Sequence, residues 1–251
     1  MLGLIEEERA AAEPRLLTFS LGGPGACAIY SPGRNVVLGE LGEAETHRLA
    51  ELCAPLRPEG VLGPDGTAGW YVDRARALGQ AFHPPVAQVI HALAAPPRHP
   101  AVPGLPRLAQ PEDAALLADW ILAFHDEAIP DDPRPSRENL LTVAARGRHF
   151  LWTREGRPVA LARIARWTRR CGAIGPVYTP PALRNQGFAA AITAHVAERI
   201  LAEGRDCAAL YTKRENPAAN RCYAKIGFAP VCGSQHYRRV ADSDPPPAAP
   251  A

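Results

Sequence analysis

The chain has 251 residues, 47% of them hydrophobic, and a formal net charge of +2, so it can bury a substantial core as one large or two small domains. So slight a charge supplies no field for nucleic acid or an anionic membrane, and no apolar run approaches the ~20 residues that span a bilayer. The opening MLGLIEEERAAAEPR has no basic region followed by an apolar core; it does not read as a signal peptide, and a cytoplasmic protein is expected. The six cysteines (27, 53, 171, 207, 222 and 232) form no C-x-x-C pair and no metal-like spacing with histidine, so they read as buried free thiols with no metal site.

Residues 1–15 read as a short helix, followed by strands over 15–21, 26–30 and 35–39. Gly22-Gly23-Pro24-Gly25 reads as a turn; no Gly-Lys-Ser/Thr follows it, against a phosphate loop. Residues 43–56 carry Leu49, Leu52 and Leu56 at helical spacing, and 57–69 (RPEGVLGPDGTAG) read as loop. A helix over 70–80 and an apolar segment over 86–94 complete this half. Residues 94–106 are too rich in proline for a helix or a central strand. The expected organisation is therefore an N-terminal α/β domain over 1–94, a linker over 95–106, a second domain over 107–240 and a disordered Pro/Ala tail over 241–251.

The second domain begins with a short strand at 107–109 and a helix over 112–128 that ends in His125, Asp126 and Glu127. A second helix over 136–145 and a hairpin of 149–153 with 158–167 follow. Alternation puts Val159, Leu161, Arg163 and Ala165 on one face of the second hairpin strand. The next strand, 173–178, contains Gly175-Pro176. Proline cannot donate to a ladder, so it either ends the strand or makes a bulge that splays it from its neighbour and exposes the backbone of Val177 and Tyr178. Residues 183–189 then lead into a helix with Phe188, Ile192, Val196 and Ile200 in one stripe and Gly204 just past its end. A helix start offers unpaired N–H groups and the positive end of the dipole, and small Gly187 and Ala189 let an anion approach. Residues 207–212 read as an internal strand, and Asn216-Pro217 opens a short helix that stops at Gly227 with Asn220 and Tyr223 on one face. One or two strands over 230–240 end the domain.

Three of these segments, in this order, resemble the acyl-CoA-binding half of the GNAT superfamily of N-acyltransferases: V-Y-T-P-P (177–181), R-x-x-G-x-A (184–189) and N-P-x-x-N-x-x-Y-x-x-x-G-F (216–228). V-L-G-P (61–64) before a helix resembles the degenerate extra domain of some two-domain members. The resemblance implies the mixed-sheet α/β (α+β) fold of that superfamily, preceded by a smaller α/β domain. It also implies an N-acetyltransferase that moves an acetyl group from acetyl-CoA to a primary amine by direct attack. The residues it assigns to the donor are Val177, Tyr178, Thr179, Arg184, Asn185, Gln186, Gly187, Phe188, Ala189, Asn216 and Asn220, with Tyr223 as general acid. Asp126 and Glu127 are candidates for gripping the acceptor, a small-molecule or peptide amine. Residues 170–178 contain no acid, so the proton is expected to leave through water to Glu127 or Asp126, or the amine arrives neutral. No metal, nucleic acid or membrane is implied, and contacts of a homodimer through the first half stay open. A non-catalytic acyl-CoA-binding module is the rival reading; it would keep Gly187 yet tolerate loss of Tyr223. A Rossmann-type enzyme is disfavoured, since no G-x-G-x-x-G occurs.

Overall fold

The computed structural model describes residues 17–20, 27–130, 132–144 and 148–240. The helix expected over 1–15, the turn at 22–25 and the tail at 241–251 lie outside them. In chain order the elements are β1 (Leu17–Ser20), β2 (Cys27–Tyr30), β3 (Asn35–Leu38), α1 (Glu43–Cys53), β4 (Gly60–Pro64), α2 (Asp65–Ala77), β5 (Val86–Leu93) and β6 (Leu105–Leu108). After these come α3 (Ala114–Ala128), α4 (Arg137–Ala144), β7 (Arg148–Arg154), β8 (Arg157–Trp167) and β9 (Cys171–Tyr178). The last four are α5 (Phe188–Ala202), β10 (Cys207–Lys213), α6 (Pro217–Ile226) and β11 (Ala229–Arg238).

The chain divides into two compact units. The first holds the residues up to Ile90, with Lys213–Glu215 and the chain from Val231 on. In it β1, β2 and β3 run antiparallel, β3 and β4 parallel, and β4 and β11 antiparallel. Helices α1 and α2 pack on each other, and Val36, Leu49, Val61, Tyr71 and Tyr237 are among the residues of its core. The segment 57–69, expected as loop, contains β4, and its helix starts at Asp65 rather than Trp70. The two glycines of β4 are there for close packing: a Cβ on Gly60 would lie 2.2 Å from the Tyr237 carbonyl, and one on Gly63 2.7 Å from Leu38. Local composition reads such glycines as loop, whereas the neighbouring strands require them.

The second unit, His91–Thr212 with Asn216–Pro230, has the strand order β10-β9-β8-β7-β6, with the end of β5 on the other side of β10. The pair β9–β10 is parallel, and the pairs β8–β9, β7–β8 and β6–β7 are antiparallel. Two cores cover its faces. One gathers Ile174, Leu210, Tyr223 and the α5 stripe of Phe188, Ile192, Val196 and Ile200; the other gathers Leu117, Ile121, Leu151, Leu161 and Tyr178 under α3 and α4. Val159 joins the first core rather than sharing a face with Leu161. The cause is a register shift: Trp152 pairs with Ala160 and Thr153 with Pro158, so Val159 is left as an extra residue.

These units divide the chain elsewhere than at 94 and 107. Residues 95–104 lie in the second unit, where the Arg98 N–H donates to the Ile226 carbonyl (2.9 Å) and Val102 packs against the α5 core. Val231–Arg238 leave it because they pair with β4.

Gly172 faces α5 so closely that a Cβ would meet three Ile200 carbons at 2.8–2.9 Å. Gly172→Val should therefore overpack this contact and lower stability by about 1–3 kcal/mol in urea unfolding; an unchanged midpoint would mean the helix can lift off the sheet at no cost.

Candidate functional site

The parallel register of β9 and β10 runs from Cys171↔Cys207 to Ile174↔Leu210 and ends there, although β9 continues to Tyr178 and β10 to Lys213. The divergence begins at Gly175-Pro176, whose peptide bond is cis. Of the two readings of Pro176, the strand goes on past it and loses its neighbour. The backbone of Val177 and Tyr178 thus lies on the stretch of β9 that has no β10 partner. Their side chains part to opposite faces: Val177 packs against the α5 core, and Tyr178 is buried under α3 beside Trp120, ring centres 6.1 Å apart.

Beyond β9 the chain makes a short 3-10 turn (Pro181–Leu183) and enters α5 through Asn185 at φ 63° and Gly187 at φ 84°. Glycine is needed at 187 twice over, for the left-handed backbone and because a Cβ would lie 2.7 Å from Val102. The first helical bond of α5 is from the Ala191 N–H to the Gly187 carbonyl. Among the described residues the N–H groups of Asn185 through Ala190 take no acceptor. These adjacent donors, in the loop and first turn at the positive end of a 15-residue helix, are an arrangement that can cradle an anion. Phe188 contributes by its N–H alone, since its ring is buried in the core. The Gln186 amide oxygen accepts from Arg154 at 3.4 Å.

Arg184 and Glu127, expected at the donor and the acceptor respectively, are brought together. The Arg184 Nη2 donates to Glu127 Oε2 at 2.5 Å and its Nε to the Thr179 carbonyl at 3.0 Å. The Tyr178 hydroxyl donates to the other Glu127 oxygen at 3.2 Å, so this carboxylate stands at the end of β9. The Thr179 hydroxyl is buried with no partner among the described residues. Asp126 points elsewhere: Arg134 grips both its oxygens at 2.8 and 2.9 Å, and this pairing holds its carboxyl below the usual aspartate range. The structure therefore separates the two acids that the sequence left equivalent.

On α6, Asn216 acts as the N-cap, its Oδ1 accepting from the Ala219 N–H at 3.0 Å, and Gly227 closes the helix at φ 111°. That use accounts for Asn216 without a ligand. Tyr223 lies one turn beyond Asn220, between His91 (ring centres 6.5 Å) and Phe228 (6.1 Å). Burial raises its hydroxyl well above the ordinary tyrosine range, and among the described residues that hydroxyl has no hydrogen-bond partner. Asn220 Oδ1 accepts from the Thr212 hydroxyl at 2.5 Å and lies 3.2 Å from His91 Nε2. Sequence reasoning missed His91 and Thr212. A lone histidine in V-A-Q-V-I-H-A-L carries no signal, because its partners lie 121 and 129 residues away.

The sequence profile of the Acetyltransferase (GNAT) family matches residues 114–228. This segment is a GNAT-family domain. Among curated proteins none matches the chain by sequence. Solved structures resemble the fold. A Drosophila protein is 16% identical with a TM-score of 0.71 over 96% of this chain and 87% of its own. A GCN5-related N-acetyltransferase from Kribbella flavida is 17% identical with a TM-score of 0.57 over 95% and 92%. A tandem GNAT protein of the clavulanic acid biosynthesis pathway is 13% identical with a TM-score of 0.53 over 93% and 86%. The GNAT domain thus includes the parted strands, the cradle and α6, whereas His91 stands outside the matched segment. No group of three or more His, Cys, Asp or Glu side chains among the described residues is placed to hold a metal, and no described helix is long and apolar enough to cross a membrane.

Proposed function

We propose that the protein transfers an acetyl group from acetyl-CoA to a primary amine by direct attack. The observation that supports this reading is the end of β9–β10 pairing at Ile174 and Leu210, followed in the chain by the unpaired donors at 185–190; Tyr223 shares the core of α5 with Ile174, Val177 and Leu210. The cradle would bind the donor's diphosphate by backbone N–H groups, with Arg184 adding charge. An N–H of Val177 or Tyr178 would polarise the thioester carbonyl, acting where negative charge develops. The amine nitrogen attacks the carbonyl carbon, the C–S bond breaks, and the Tyr223 O–H gives its proton to the leaving thiolate. Solvent then reprotonates Tyr223. Glu127 takes the proton lost by the amine, directly or through one water; Asp126, the other candidate, is paired with Arg134. The acceptor is a small-molecule or peptide amine, and pairing of two copies of the chain is a separate matter that the chemistry does not require.

Calorimetric titration with acetyl-CoA should show saturable binding that Gly187→Glu abolishes, since the glutamate puts bulk and negative charge into the cradle. No binding by folded wild-type protein would overturn the reading. Tyr223→Phe should lower kcat by about 10²-fold with little change in acetyl-CoA affinity, and retained turnover would leave a donor-binding module without this acid. Because its hydroxyl is raised by burial, Tyr223 stays protonated as pH rises, so wild-type kcat should show no fall from this group up to about pH 10, the ordinary tyrosine value. Glu127→Gln should split the two sites: kcat falls, while CoA binds up to about fivefold tighter because Arg184 loses a competing partner of surface-pair strength. That tightening should vanish in an Arg184→Gln background.

A further inference from the structure

We infer that His91 is a positioning residue of the transfer site, tying β5 to the middle of α6 through Asn220 so that Tyr223 stays at the parted ends of β9 and β10; this rests on the reading of Tyr223 as the acid. His91 lies outside the segment 114–228 that matches the family, so the domain's site is completed by a residue from the preceding part of the chain.

Its hydrogen-bond roles follow from its neighbours. An amide oxygen can only accept, and the Thr212 hydroxyl places its single proton on Asn220 Oδ1. Both oxygens that lie 3.2 Å from His91 Nε2 are therefore acceptors toward the ring. The ring must carry a proton on Nε2, shared between Thr212 Oγ1 and Asn220 Oδ1. In the neutral ring Nδ1 is then a bare acceptor, and it is buried with no partner among the described residues. Leaving such an atom unmet is costly, so an apolar side chain would suit the core better if packing were the sole demand at this position. The bond obtained in exchange acts on one place, the face of α6 that bears Asn220 and, three residues later, Tyr223. Thr212 is two residues beyond the last β9–β10 pair at Leu210, which sets the tie at the level of the divergence. Arg98 holds the far end of the same helix, through the carbonyls of Ala224 and Ile226, and Asn216 caps its start. His91 governs the stretch between them.

The test uses the full chain with His91→Leu, which keeps bulk, and His91→Gln, whose amide can still donate to Asn220. With acetyl-CoA and the best substrate of a primary-amine panel, His91→Leu should lower kcat by about tenfold or more, the scale of a misplaced catalytic group. KM for acetyl-CoA should move by no more than about twofold, and His91→Gln should keep most of the turnover. Two readouts are independent of turnover. Nitrogen-15 histidine spectra of the wild type should show the Nε2–H tautomer, and hydrogen exchange of the amides at 220–226 should speed up in His91→Leu but not in His91→Gln. Wild-type kcat in His91→Leu, equal losses in both variants, an Nδ1–H tautomer or unchanged exchange would each overturn the inference. If instead Tyr223→Phe keeps full turnover, the assignment of the acid falls, and the tautomer and exchange results still decide on His91.

Discussion

Everything in the candidate site hangs on the parting of two parallel strands in the interior of a sheet. β9 and β10 are paired through Ile174 and Leu210 and no further. Proline at 176 has no N–H to offer a ladder, and past it β9 runs on beside β8 alone. Backbone groups on such a stretch still need hydrogen-bond partners. An internal strand with an unpaired side is thus a place where a polar, extended ligand gains what the protein's own ladder does not supply.

The electrostatics of the site follow from backbone more than from side chains. The first turn of α5 and the loop before it present adjacent donors that take no acceptor among the described residues, and Gly187 allows this through a left-handed backbone that other residues adopt only under strain. Charged side chains are few here and already engaged. Arg184 serves Glu127, the Thr179 carbonyl and the face of Tyr178 at once. Glu127 in turn accepts from Tyr178, so a carboxylate of α3 and the end of β9 form one network. Tyr223 is the opposite case: it is protonated because burial disfavours its anion, and among the described residues no group holds its proton.

Each compact unit draws on separate stretches of chain. Within the second, the end of β5 brings His91 to Thr212 and Asn220; within the first, the chain from Val231 pairs with β4.

The residues by themselves determined the parts of this protein that depend on near neighbours. The Phe188–Ile200 stripe, the glycine before α5, the Asn216-Pro217 start and the Gly227 stop are each settled within one or two turns, by side-chain period and by φ/ψ preference. Pro176 marked a break in the ladder by its missing N–H, but that β9 runs on past it without β10 was decided by the fold. The tertiary structure alone decided which of two adjacent acids meets the end of β9, since Asp126 and Glu127 differ only in the partners, Arg134 and Tyr178, that the fold brings to them. It decided that 60–64 is a strand, because glycines demanded by close neighbours look locally like loop. It also brought in His91, whose partners lie more than a hundred residues along the chain. Pairing over such distances is set by the whole sheet and leaves no mark on the few residues around each partner.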